Sequence, residues 1–282
     1  MPTVGFIGGG AMGRALIARL KETSDSLYTV IAYDPSAMAQ SRLVELGVGL
    51  RATPAEVAKE SHLIEVIVPA DADVEEACLG LNGVVSGLGE HRPFLLIHST
   101  VLPATTQRVA EALGGRAVVM DCPVVGVPSV TRAGQAVFLV GGEPQAVQAL
   151  TPHLLRMGRA VLHMGPLGMG NLAKLVKNLI SGAERFVWHE AMRLAEAGGM
   201  APAQLLELMT AVHEPDRLAS TLDAWLRTGE VPPPAGANSW HHKDFRLAAE
   251  CGETLGVPMP ISRALTQVAE AMTVPRDAHP AV

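Results

Sequence analysis

The sequence predicts an α/β protein, with a doubly wound, mostly parallel sheet in residues 1–163 and an all-α region in residues 164–282. Three observations carry this reading. Short apolar runs alternate with helix-length stretches through the first half. A glycine-rich turn joins the first such run to the first helix. After about residue 164 the strand-like runs stop and helical periodicity takes over. At 282 residues, with 48% hydrophobic and 18% charged, the chain is long enough for two domains and a large core. Aromatics are 4%, so aliphatic side chains and Met must fill that core.

In chain order, TVGFIG (3–8) reads as a buried strand and AMGRALIARLKE (11–22) as a helix. YTVIAYD (28–34) and SAMAQSRLVELG (36–47) repeat the pair. LIEVIVP (63–69), FLLIHST (94–100), AVVMDCPV (117–124) and QAVFLVGG (135–142) are further strands, their near-continuous apolar runs suiting a sheet covered on both faces. One long helical stretch then runs from Gly170 to Gly198. Helical patterns recur over 202–212, 217–229, 239–256 and 261–272. EVPPPAGANS (230–239) reads as a Pro/Gly hinge, and the tail after Met272 as frayed.

Net charge is −6, and no basic tract pairs Lys or Arg with aromatics, which argues against a nucleic-acid partner. Cys78, Cys122 and Cys251 are scattered and odd in number, as in a reduced, intracellular protein. MPTVGFIGGG has no basic segment followed by a long apolar one, and no apolar run reaches the roughly 18 residues of a membrane span. The expectation is a cytoplasmic protein without a membrane partner.

GFIGGGAMG places Gly8, Gly10 and Gly13 in GxGxxG spacing between a strand and a helix, the context of a Rossmann-type dinucleotide site. Gly8 permits the tight turn, Gly10 lets a pyrophosphate approach the backbone, and Gly13 lets helix and strand pack closely. The free amides near Ala11 and Met12 would face the phosphates. Asp34 ends the second strand about 20 residues past Gly13, where a carboxylate accepts from a ribose 2′-hydroxyl and repels a 2′-phosphate. No arginine follows at once, so the cofactor expected is NAD, with NADP second. The competing readings are a tight turn without ligand for the glycines and a turn residue before Pro35 for Asp34.

In GPLGMGNLAKLVKN (165–178), Lys174 and Asn178 are four residues apart and share a helical face, roughly with Asn171 and Ser181. Leu172, Leu175, Val176 and Leu179 supply apolar surroundings. A desolvated lysine favours its neutral form, as a nearby oxidised nicotinamide would, and could act as a base toward an alcohol. The asparagine could orient the hydroxyl. A solvated lysine on an ordinary helix fits the residues equally well.

Gly168-x-Gly170-x-x-x-Lys174-x-x-x-Asn178 resembles the signature of the β-hydroxyacid dehydrogenases, the 3-hydroxyisobutyrate dehydrogenase family. VGFIGGGAMG is similar to that family's cofactor motif, and VIVPADADVEEACLGLNGVVSGL to the segment in which Val68 and Pro69 would border the cofactor. HSTVLP resembles its Ser-Thr-x-x-Pro turn, with Thr100 near the nicotinamide ribose. DCPVVGV resembles its substrate loop, and HKDFRLA its Lys-Asp-x-x-Leu-Ala motif, with Lys243 approaching the cofactor. The resemblance covers nearly the whole chain. It implies hydride transfer between a small alcohol and NAD+, with Lys174 as general acid–base and Asn178 holding the oxygen. It also implies a homodimer or homotetramer and a helical region like that of 6-phosphogluconate dehydrogenase.

The chain departs from the family in its substrate loop, Asp121-Cys122-Pro123-Val124-Val125-Gly126-Val127. Val125 stands where the family has a serine that binds the substrate carboxylate, and Val127 where it has a glycine. The expectation is an atypical, bulkier or less polar substrate contacting Pro123, Val125, Gly126 and Val127; the alternative is that the Gly126 amide and a helical-region residue restore the contacts. Trp240 could line the pocket. His241 and His242 diverge on one helix and make a poor metal pair, so no metal is expected. Arg217, four residues past His213, reads more readily as a surface residue than as a carboxylate binder. Pyrroline-5-carboxylate reductases share the N-terminal motif but have a Ser-Pro-Gly-Gly-Thr stretch that this chain lacks; imine reductases usually carry an acid or tyrosine in place of Lys174. A decarboxylating 6-phosphogluconate dehydrogenase would need a much longer helical region. A non-catalytic NAD-binding protein on the same fold is the reading from another functional class.

Overall fold

The computed structural model describes residues 1–24, 27–197, 200–212, 226–229, 240–254 and 260–271. His213, Arg217, most of the helix expected over 217–229, the hinge at 230–239 and the tail lie outside them. The chain divides into two compact units, Met1–Lys174 and Leu175–Val282.

Among the described residues the first unit is built on nine strands: β1 (Thr3–Ile7), β2 (Thr29–Tyr33), β3 (Gly49–Leu50), β4 (Leu63–Val66), β5 (Phe94–Ile97), β6 (Val118–Asp121), β7 (Val124–Val125), β8 (Ala136–Gly141) and β9 (Gly158–Gly165). β1 to β6 pair in parallel in the order β3-β2-β1-β4-β5-β6, the doubly wound order of dinucleotide-binding sheets. β6 and β7 meet β8 antiparallel, and β9 runs parallel to β8.

The run expected as one strand over 117–124 is interrupted at Cys122-Pro123, because proline has no N–H to give a ladder. β3, β7 and β9 are additions to the expected set. β9 escapes sequence reading because Arg159 and His163 break its apolar residues into short pieces, and along it only Gly158 is fully buried.

The helices are α1 (Ala11–Thr23), α2 (Ala37–Glu45), α3 (Pro54–Glu60), α4 (Asp71–Leu79), α5 (Val84–Gly87), α6 (Pro103–Leu113), α7 (Pro128–Arg132), α8 (Pro144–Met157) and α9 (Met169–Ala197). Four of them, α3, α6, α7 and α8, open on a proline, whose missing N–H costs nothing in the first turn. Side chains alternate across the sheet. Leu96 joins Phe6, Leu16, Ile17 and Phe138 on the face under α1 and α8. Leu95 and Ile97 join Ile64, Val57 and Val109 on the face under α3, α4 and α6. Each fully buried residue of this size contributes about 2 kcal/mol of transfer free energy.

α9 is a single helix of 29 residues, about 43 Å long, and its residues past Lys174 belong to the second unit. That unit adds α10 (Pro202–Val212), α11 (Trp240–Thr254) and α12 (Pro260–Ala271). Phe245 of α11 and Leu265 and Ala269 of α12 form a small core with Leu179 and Ala183 of α9. Among the described residues no helix is long and apolar enough to cross a membrane.

Candidate active site

A cavity of about 750 Å³ opens at the carboxyl ends of the strands, where β1 turns into α1. Gly8, Gly10, Ala11, Met12, Gly13, Asp34, Val68 and Pro69 all line it. Gly8 has φ +113°, and a Cβ there would sit 2.0 Å from the Ile67 carbonyl oxygen. A Cβ on Gly13 would sit 2.1 Å from the Gly8 oxygen, whereas one on Gly10 would meet nothing within 4 Å. Thus two glycines make room for the protein itself, while the third borders open space. No side chain caps the first turn of α1, whose amides are left for an anion.

Asp34 follows β2 directly with both oxygens in use: Oδ2 accepts from the Gly9 amide at 2.6 Å and Oδ1 from the Ser36 amide at 2.8 Å. A carboxylate has about four lone-pair positions, so acceptor capacity for a hydroxyl remains. Thr53, Asp73, Glu76 and Asn82 also line the cavity and were not anticipated; Thr53 is the N-cap of α3, the one local signal that could have pointed to it. Thr100 does not line this cavity. Its neighbour Ser99, also unanticipated, accepts from the Val68 amide and donates to the Val68 carbonyl, both at 2.8 Å, and so fixes that wall.

The second group of residues surrounds the β6–β7 interruption and the start of α9. Asp121 is fully buried; Oδ1 accepts from the Gly168 amide at 2.7 Å and Oδ2 from the Asn171 amide at 2.6 Å. A strand-end carboxylate thus caps the long helix, with charge of the sign its dipole favours. The two glycines ahead of Lys174 follow from this. Gly168 has φ +97°, and a Cβ on Gly170 would lie 2.4 Å from the Leu139 oxygen and 2.8 Å from Asp121 Oδ2. Burial pushes the Asp121 carboxyl above the usual carboxylate range, against the pull of the Gly168, Asn171 and Gly170 amides.

One turn on, Lys174 is 7% exposed and its Nζ donates to the Val124 carbonyl at 2.6 Å. Its apolar surroundings are narrower than the pattern suggested, since Val176 is half-exposed. Asn171 is buried with its amide donating to Thr106 Oγ1 at 2.9 Å, which ties it to α6. Pro123 is buried and accepts from the Leu139 amide; Val125 is half-buried and pairs with Val137. Gly126 has φ +152°, and Val127, exposed, precedes α7.

In the second unit, Asn178 is buried, and its Nδ2 donates to Asp244 Oδ2 at 2.7 Å while its Oδ1 accepts from Lys177 at 3.3 Å. Asp244 is buried on α11, and Lys243 sits beside it with Nζ 3.7 Å from Oδ1. Asp244 was not anticipated; the cue was an aspartate inside a helix next to the apolar Phe245 and Leu247. Trp240, His241 and His242 open α11, and their side chains lie outside the described residues.

Residues 3–165 match the family model of the NAD binding domain of 6-phosphogluconate dehydrogenase. Residues 168–279 match that of the NAD-binding region of NADP-dependent 3-hydroxyisobutyrate dehydrogenase. The probable mitochondrial 3-hydroxyisobutyrate dehydrogenase of Dictyostelium discoideum is 31% identical over 275 residues, spanning 94% of this chain and 84% of its own. The solved structure of 3-hydroxyisobutyrate dehydrogenase from Mycobacterium tuberculosis with L-serine superposes with a TM-score of 0.80 at 22% identity, over 96% of this chain and 93% of that one. An imine reductase variant from Myxococcus stipitatus with NAD+ superposes with a TM-score of 0.66 at 20% identity, over 96% and 93%. At these identities the two structures speak for the fold alone. With more than half of its length under the dinucleotide-binding model and the Dictyostelium relative spanning nearly all of it, the chain belongs to the β-hydroxyacid dehydrogenase family and is an NAD(P)-dependent oxidoreductase.

Proposed function

We propose that the protein interconverts a 3-hydroxy acid, or a related small alcohol, with its semialdehyde or ketone, Lys174 acting as general acid–base and Asn178 orienting the substrate oxygen. The observation that carries this reading is the buried amine of Lys174, held 2.6 Å from the Val124 carbonyl at the edge of the loop that resembles the family's substrate loop. In the oxidative direction the hydroxyl proton passes to Nζ as the carbon–oxygen double bond forms and the hydrogen on carbon leaves as hydride. The nicotinamide, when bound, supplies the acceptor for that hydride. Asn178 spends one N–H on Asp244 and has a second to offer an alcohol or carbonyl oxygen.

NAD is favoured over NADP. Asp34, Asp73 and Glu76 line the nucleotide cavity, and no lysine or arginine does among the described residues. Arg51, beside the cavity residue Ala52, is engaged by Glu60 at 2.5 and 2.6 Å. The isopropyl group of Val125, in place of a hydroxyl, supports a substrate bulkier or less polar than 3-hydroxyisobutyrate. The resemblance also supports a homodimer or homotetramer, which sedimentation velocity would test.

The decisive experiment is Lys174→Ala against a panel of 3-hydroxy acids, 3-hydroxy amino acids, small semialdehydes and cyclic imines, with NAD(H) and NADP(H). NADH formation is expected to fall by roughly 1,000-fold while nucleotide binding persists. Full activity in the variant overturns the role of Lys174. Turnover of imines alone would move the protein to the reductase class, and nucleotide binding without any turnover would make it a binding protein.

A further inference from the structure

Beneath α8, on the sheet face that carries Leu96 and Phe138, lie three titratable side chains that the proposed chemistry does not use. Glu65 of β4, His98 at the end of β5 and His153 of α8 are all buried, at 0%, 3% and 6% exposure. His98 Nε2 is 2.7 Å from Glu65 Oε2, and His153 Nε2 is 2.5 Å from Glu65 Oε1. His98 Nδ1 is 2.7 Å from the carbonyl oxygen of Cys122.

These three contacts allow their protons to be counted. A carbonyl oxygen only accepts, so His98 Nδ1 carries a proton. Each contact between a ring nitrogen and the carboxylate also needs one proton, since two lone pairs at such distances would repel. That makes three protons on one carboxyl and two imidazoles, and the cluster is then neutral wherever the shared proton sits between His98 and Glu65. Among the described residues His153 Nδ1 has no hydrogen-bond partner, which suits a bare nitrogen. Direct contacts of this length leave no gap for a metal ion, and among the described residues no group of three or more such side chains is arranged to hold one.

We propose that Glu65, His98 and His153 form a charge-neutral, three-proton network that pins the Cys122 carbonyl, making His98 a positioning residue for the Asp121–Val125 segment. Its bearing on catalysis rests on the role proposed for Lys174, because Val124, two residues beyond the pinned carbonyl, is what the Lys174 amine meets. Charge supports the assignment. Burial raises the Glu65 carboxyl, yet the His153 and His98 rings more than offset this and hold it at about 2. On the same face the Cys122 thiol borders the cluster, and burial, Glu65 and Asp121 together push it well above its ordinary range. The Tyr28 ring packs edge-on against His153 at 5.4 Å.

Nitrogen-detected NMR of the full chain at pH 7 tests the proton count. Protons on His98 Nδ1 and His153 Nε2 and a bare His153 Nδ1 are expected. A bare His98 Nδ1, or a proton on His153 Nδ1, overturns the network. Two variants test the pin. Asn keeps an N–H near the place of Nδ1, so His98→Asn should retain most of kcat. His98→Leu should lose at least roughly 10-fold in kcat with nucleotide affinity unchanged. Equal loss in both variants, or none in His98→Leu, refutes positioning. An unaffected Lys174→Ala variant would sink the catalytic reading and leave the NMR result standing.

Discussion

Asp34 and Asp121 sit in matching places, each at the carboxyl end of a strand of one sheet, and each accepts two backbone N–H bonds between 2.6 and 2.8 Å. Their surroundings differ. Asp34 is half-buried and borders the nucleotide cavity, so its remaining lone pairs face a space that a ligand can enter. Asp121 is sealed, and its lone pairs meet only protein. The same hydrogen-bond pattern therefore leaves an acceptor open to a ligand beside β2 and ties protein to protein at β6. Solvent access, more than the partners themselves, separates the two.

The comparison breaks most visibly at Asp121. Asp121→Ala leaves the Gly168 and Asn171 amides buried without an acceptor. At about 1–3 kcal/mol each, the loss in unfolding free energy should be about 3 kcal/mol or more. Because these amides open the helix that carries Lys174, kcat should fall roughly 100-fold even where the variant stays folded. Asp121→Asn keeps one acceptor oxygen and should recover part of both. Urea unfolding and steady-state kinetics measure them, and a stable, fully active Asp121→Ala would show that the helix start holds itself.

Acid sharpens the contrast, because two buried carboxyls of this unit titrate in opposite senses. Glu65 is held down from 4.5 to about 2. Its contribution is therefore fully present above pH 4.5 and is lost as pH falls toward 2, amounting to about 3 kcal/mol at most. Asp121, raised by burial, costs stability when ionised and returns some of it as pH falls through its folded value. Unfolding free energies at pH 7, 5, 4 and 3 should decline in the parent chain and decline less in Glu65→Gln. An equal decline in both would remove Glu65 from the acid response.

What could be read from the sequence divides along the same line. Gly8, Gly10 and Gly13 are legible because a turn, an unobstructed backbone position and a helix contact all lie within six residues, and Asp34 because it follows the next strand directly. Lys174 and Asn178 share a face by helical spacing alone. Asp121 stands in a motif that the sequence displays, but its partners lie 47 and 50 residues away, and Asp244 is 66 residues from Asn178. No local pattern encodes such pairings; the sheet order brings Asp121 to its partners, and helix packing brings Asp244 to Asn178. Glu65, His98 and His153 sit inside apolar segments of β4, β5 and α8, where a single polar residue reads as a surface position until the opposite element is known. Val176, expected among the apolar surroundings of Lys174, shows the reverse: apolar type does not establish burial, and this residue is half-exposed.

The smallest effect is expected at Asp34. In Asp34→Ala the Gly9 and Ser36 amides stand at the rim of a cavity, where water can take the place of the carboxylate. The stability cost should therefore be about 1 kcal/mol, well under that at Asp121. Function should register the change more clearly. Without the carboxylate a 2′-hydroxyl loses an acceptor and a 2′-phosphate loses a repelling neighbour, so the ratio of kcat/KM for NAD to that for NADP should drop about 10-fold. Asp34→Asn, which keeps the shape and removes the charge, separates repulsion from hydrogen bonding. If Asp34→Ala instead cost 3 kcal/mol and left nucleotide preference unchanged, Asp34 would be a scaffold residue like Asp121, and cavity exposure would not be what distinguishes them.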